Sequence, residues 1–97
     1  MDTTKAAKIF KALSHPNRLE LYLEIARNQE SNFEPGDECL ITDIIGALNI
    51  GAPTISHHLK ELANANLITT ERRGKFLVAK INRTTLSGVI QLLGFDV

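Results

Sequence analysis

The 97-residue sequence predicts a mainly α domain with one β-hairpin, an α+β fold in the order helix-helix-helix-helix-hairpin-helix. Three observations predict it. Apolar residues recur at helical spacing through most of the chain, two β-rich runs flank Arg73-Gly74-Lys75, and a further helical stripe follows them. No repeat, low-complexity tract or linker interrupts the sequence, so residues 1–97 read as a single domain.

Ala6, Ile9, Phe10 and Leu13 recur at i, i+3, i+4, i+7 and predict an amphipathic helix over residues 3–13. His15-Pro16 opens a second helix, since proline suits the first helical position, where its missing N–H is not needed. Leu19, Leu21, Tyr22, Leu23, Ile25 and Ala26 make that helix apolar on most sides, which predicts a central, buried element. Asn28 to Glu38 is polar, includes Pro35-Gly36, and reads as a long loop. Thr42 caps a short helix with Ile44, Ile45 and Leu48 facing inward, and Asn49-Ile50-Gly51 ends it.

Pro53 starts the next helix, at about residues 53–65. Its inner stripe is Ile55, Leu59, Leu62 and Ala63, and Thr54, His57, Lys60, Glu61 and Asn64 are left to the other side. Leu67–Arg72 and Phe76–Ile81 form the hairpin, at about residues 67–81. Leu86, Val89, Ile90 and Leu93 give the last helix, at about residues 84–93.

Two helices joined by a tight turn and followed by a hairpin make a winged helix-turn-helix layout. In it, one helix braces another that presents short polar side chains to base edges in the major groove. Thr54, Ser56 and His57 lie in or near the first turn of the presenting helix, with Lys60 further along the same element. The hairpin tip adds Arg72, Arg73 and Lys75, a cationic cluster suited to phosphate or to a narrow minor groove.

Charge supports the same partner only in its distribution. The chain has 11 basic and 11 acidic residues, which argues against indiscriminate binding to nucleic acid. Residues 20–50 nevertheless hold seven carboxylates against Arg27 alone, whereas residues 51–83 hold six cations against Glu61 and Glu71. The row Lys5, Lys8, Lys11 reads as a solvated helix face.

Three ordered signatures resemble the ArsR-type (arsenic-repressor-like) regulators of bacteria and archaea. They are the stretch from Phe10 to Leu19 around Ser14-His15-Pro16, the stretch from Pro53 to Leu62 with Ser56, His58 and Leu59, and Asn66-Leu67-Ile68 followed by Arg72-Arg73-Gly74-Lys75. The resemblance spans roughly residues 5–93. It implies a homodimer whose interface draws on Ile9, Phe10, Leu86, Val89, Ile90 and Leu93. It also implies a repressor that binds an inverted-repeat operator in double-stranded DNA through Thr54, Ser56, His57 and the wing, and that an effector releases. Ala52 stands where many members carry a DNA-contacting glutamine.

Neither metal set of that family is present. Leu40 and Thr42 occupy the Cys-x-Cys positions of the arsenic and cadmium sensors, and residues 84–97 contain no His and only Asp96. No metal or other cofactor is therefore expected. His57 and His58 are consecutive and diverge by about 100° on a helix, so they do not chelate one ion. His58 reads as a hydrogen-bonded packing residue and His15 as a cap or an exposed side chain. Cys39 is the only cysteine, which excludes an internal disulfide; it reads as an inert thiol, because Asp37 and Glu38 oppose the depressed pKa that a redox sensor needs. The effector stays open between a small molecule at the dimer interface, an event at Cys39, and none.

Other classes fare worse. Ser56, His57 and His58 make no nucleophilic triad, and no glycine-rich phosphate loop exists, so an enzyme is not expected. A winged-helix module that binds protein and not DNA is the alternative; the neutral total and Ala52 favour it, and the polar helix and basic wing oppose it. With no leader-like N-terminus and no apolar run near the roughly 18 residues of a bilayer span, the expected location is the cytoplasm, away from membranes.

Overall fold

The structure, a computed structural model, describes residues 1–31, 39–40, 48, 50–74 and 76–94. The expected short helix at Thr42–Leu48, with Ile44 and Ile45, lies outside the described residues apart from Leu48, as does Lys75. Seven elements follow in order: α1 (Thr3–Leu13), α2 (Pro16–Ser31), β1 (Cys39–Leu40), α3 (Ala52–Asn64), β2 (Ile68–Arg73), β3 (Phe76–Ile81) and α4 (Arg83–Leu92).

Local chemistry sets the helix ends. Asp2 accepts the Lys5 N–H at 2.8 Å and Asn82 accepts the Thr85 N–H at 3.3 Å, so each side chain satisfies a first-turn donor, of α1 and α4 respectively. Pro16 opens α2 as expected, and the His15 carbonyl accepts the Leu19 N–H at 2.9 Å. The helix then runs on through Asn28 to Ser31, where the sequence reads as loop. Arg27 pairs with Glu20 and Glu24 at 3.1 and 3.0 Å, and the Asn28 amide donates to the Glu24 carbonyl at 2.8 Å. These contacts support the helix as far as Asn28.

α3 ends in a Schellman turn. Asn66 adopts φ +60°, its N–H donates to the Ala63 carbonyl, and the Leu67 N–H donates to the Leu62 carbonyl, both at 3.0 Å. Leu62 and Leu67 are both fully buried and seal the turn. A β-branched residue resists this left-handed backbone. Asn66→Val should therefore lower the urea midpoint by an amount worth about 1–2 kcal/mol, with Asn66→Gly near neutral.

The sheet has order β1-β3-β2 and is antiparallel throughout. β2 and β3 pair from Ile68↔Ile81 to Arg73↔Phe76, and Gly74 (φ +61°) takes the left-handed position of the turn. The hairpin thus closes one residue later than expected, with Arg73 inside the ladder. β1, which the sequence analysis does not anticipate, adds Cys39 opposite Ala79 and Leu40 opposite Val78.

The core gathers Ile9 and Ala12 from α1, Leu21, Tyr22 and Ile25 from α2, Ile55, Leu59 and Leu62 from α3, Ile68, Ala79 and Ile81 from the sheet, and Val89 from α4. Two expected stripes shift. On α1 the buried set is Ala6, Ile9 and Ala12, with Leu13 at the margin and Phe10 exposed. α2 is buried on one face only, because Leu19 and Leu23 are exposed. Among the described residues, no helix is long and apolar enough to cross a membrane.

Candidate nucleic-acid interface

Gly51 precedes α3 in extended conformation, and Pro53 occupies the first turn. No side chain caps this helix, so its first-turn N–H groups are not taken up by a cap. The buried face is Ile55, His58, Leu59 and Leu62, at i, i+3, i+4, i+7, and each is at most 4% exposed. Thr54, Ser56, His57 and Lys60 are all exposed. One helix therefore carries a rigid apolar back and a continuous polar front of short side chains.

The wing places Arg72 and Arg73 in exposed positions at the end of β2. Arg73 lies 3.3 Å from the Glu71 carboxylate, with both side chains more than half exposed. Such a surface pair is worth under about 1 kcal/mol and yields readily to a phosphate. With Lys75 outside the described residues, the cationic tip consists here of Arg72 and Arg73.

His58 departs from expectation. It is buried, yet neither Nδ1 nor Nε2 has a hydrogen-bond partner among the described residues. Its ring instead packs against His15 at a centroid distance of 4.8 Å, with His57 at 6.0 Å. Burial, reinforced by His15, Arg18 and His57, pushes the His58 imidazole below its ordinary pKa, so the neutral ring is the stable form. Sequence reasoning missed this pair, because nothing in local spacing brings residue 15 to residue 58. Arg18, beside it, donates to the Ala12 carbonyl at 3.3 Å, and its buried Nε has no partner among the described residues.

The expected interface residues divide. Ile9 and Val89 pack inside the protomer's own core, Ile90 is half-buried, and Phe10, Leu86 and Leu93 are 44%, 38% and 55% exposed. Among the described residues, no group of three or more His, Cys, Asp or Glu side chains is placed to hold a metal ion.

Comparison with known proteins fits this geometry. Residues 34–70, which include the whole of α3, match the profile of the bacterial regulatory proteins of the arsR family. The transcriptional repressor SdpR of Bacillus subtilis is 34% identical over 84% of this chain and 81% of its own length. The chain belongs to the ArsR family. The arsenical resistance operon repressor of Bacillus subtilis is 30% identical over 93% of this chain and 84% of its own. Two solved structures share the ArsR fold at low identity. An ArsR-like transcriptional regulator from Rhodococcus sp. RHA1 superposes with a TM-score of 0.75 (20% identity, covering 93% of this chain and 76% of that one). The homodimeric winged helix-turn-helix DNA-binding domain Mb0332 from Mycobacterium bovis superposes with a TM-score of 0.69 (21% identity, covering 93% and 75%). As an ArsR-family protein the chain is a DNA-binding transcriptional regulator and not an enzyme.

Proposed function

We propose that the protein is a homodimeric repressor that reads an inverted-repeat operator with the exposed front of α3 and grips the flanking backbone with the wing. The observation that carries this reading is the polar row Thr54, Ser56, His57 and Lys60, exposed and backed by a buried face that fixes its direction. Short side chains allow close approach, so Ser56 and His57 reach base edges while Lys60, Arg72 and Arg73 take phosphates. Lys75 joins the wing contacts by its place in the sequence.

Dimerisation is supported by the exposed apolar residues Phe10 on α1 and Leu86 and Leu93 at α4, and by the homodimeric state of Mb0332. Two-fold symmetry then sets half-sites about one helical turn apart.

Fluorescence anisotropy with DNA from upstream of the gene, titrated at several salt concentrations, tests the reading. The dimer should bind selectively, with affinity falling steeply as salt rises. The Arg72→Ala/Arg73→Ala variant should flatten the log–log salt slope by about 2, roughly one unit per lost phosphate contact. His57→Ala should change sequence preference more than salt response. Salt-independent binding, or capture of a protein that survives nuclease treatment with no DNA shift, would favour the protein-docking alternative.

A further inference from the structure

A cleft of about 630 Å³ opens between α1 and α4 and reaches the turn after α3. That volume suits a small metabolite. One wall carries Lys5 and Lys8; the other carries Thr84, Thr85, Ser87 and Gln91. No Asp or Glu among the described residues lines it, and neither lysine has a carboxylate partner among them. Asp2 is engaged with the backbone N–H of Lys5. The cleft thus pairs two ammonium groups that have no carboxylate partner among the described residues with hydroxyl-bearing side chains, and the positive end of α4 lies on the same wall.

Gly88 lines the cleft beside Met1, whose terminal methyl would lie 3.1 Å from a Cβ at this position, a contact that the flexible methionine can relieve. The apolar part of the lining comes from Met1, Ile9 and Ala65. This is the composition of a pocket for an anionic head on a compact body, not of a packing defect.

We propose that the cleft binds a small organic anion, a carboxylate or phosphate monoester, between Lys5 and Lys8 on one side and the α4 hydroxyls on the other. DNA is not the source of that anion. The cleft touches no residue of α3 itself and reaches only Ala65 and Asn66 in the turn after it; Ala65 lies nine residues beyond Ser56, or about 14 Å along the helix axis. At about 100° per residue, Thr84, Thr85 and Gly88 lie on a different flank of α4 from Leu86, Ile90 and Leu93. A ligand can therefore sit on one flank while a second copy covers the other. Drawing α1 and α4 together on the anion would reset the apolar edge and hence the spacing of the two α3 helices; this consequence, unlike the binding itself, rests on the operator-binding reading above.

The test is a ¹⁵N–¹H titration of the full chain with inorganic phosphate, glucose 6-phosphate and glucose at constant ionic strength. Both anions should give saturable shifts centred on the Thr84, Thr85 and Gly88 amides, and glucose none. The Lys5→Gln/Lys8→Gln variant should weaken binding at least about tenfold, as expected for lost charge-assisted hydrogen bonds, whereas Lys11→Gln, outside the cleft, should match the parent. Non-saturating shifts, shifts spread over the wing cations, or equal affinity in the double variant would overturn the site. Operator affinity measured on the same samples separates the two readings, because anion binding and DNA binding can each fail alone.

Discussion

Leu62→Ala is expected to lower the unfolding free energy by about 3 kcal/mol, read as a fall in the urea midpoint of the far-UV circular dichroism transition at fixed protein concentration. Leu62 is fully buried and belongs to the row Ile55, His58, Leu59 and Leu62 that fastens α3 to α2 and the sheet. Truncation removes its transfer free energy and leaves a cavity that these neighbours cannot fill without moving the helix. It also removes the apolar side-chain contact over the Schellman turn, although the Leu62 backbone carbonyl that accepts the Leu67 N–H stays in place. The consequence reaches function, because a loosened α3 no longer holds Ser56 and His57 in one direction. A loss below about 1 kcal/mol would mean that α3 is not anchored as described.

Acidification supplies the second large effect. His58 is buried beside His15 and Arg18, and among the described residues neither ring nitrogen has a hydrogen-bond partner. Its folded-state pKa lies below the ordinary value, so the unfolded chain binds the proton first. The sign follows directly: the contribution of neutral His58 is intact above pH 6.5 and is lost as pH falls through the depressed folded value. His15, Arg18 and His57 all oppose a charge on His58, so protonation should weaken the seat of α3. Stability measured from pH 7.5 to pH 4.5 should fall across this window. His58→Leu should flatten that fall, and its advantage over the parent should grow as the pH drops. An unchanged pH profile in the variant would contradict the account.

The sequence made most of the fold legible because most elements bury one face with a plain period. α1, α3, the hairpin and α4 all appear within a residue or two of their expected bounds. The exceptions have physical causes. Asn28–Ser31 is polar and reads as loop, yet α2 extends through it, supported as far as Asn28 by the charge pairs of Arg27 and the Asn28 amide. A two-residue strand such as β1 leaves no periodic signal at all. On α1, a stripe centred on Ile9 can widen toward Phe10 or toward Ala12; hydrophobicity favours phenylalanine, but the space against α2 and α3 admits alanine and leaves Phe10 outside.

The candidate interface was legible for a different reason. Thr54, Ser56, His57 and Lys60 stand out as the residues a buried stripe leaves over, so finding the stripe finds the polar face. The His15–His58 contact and the α1–α4 cleft join residues separated by more than forty and seventy positions, and no local pattern encodes them. They depend on how α2 and α3, or α1 and α4, pack in three dimensions.

The most direct test of operator reading is Ser56→Glu, which places a carboxylate on the exposed front of α3 without touching its buried face. Circular dichroism and sedimentation should show the parent's fold and assembly, while operator affinity falls at least about a hundredfold, from the lost groove contact together with repulsion by the phosphates. A folded Ser56→Glu protein that binds the same DNA as tightly as the parent would contradict the claim that this face enters the groove.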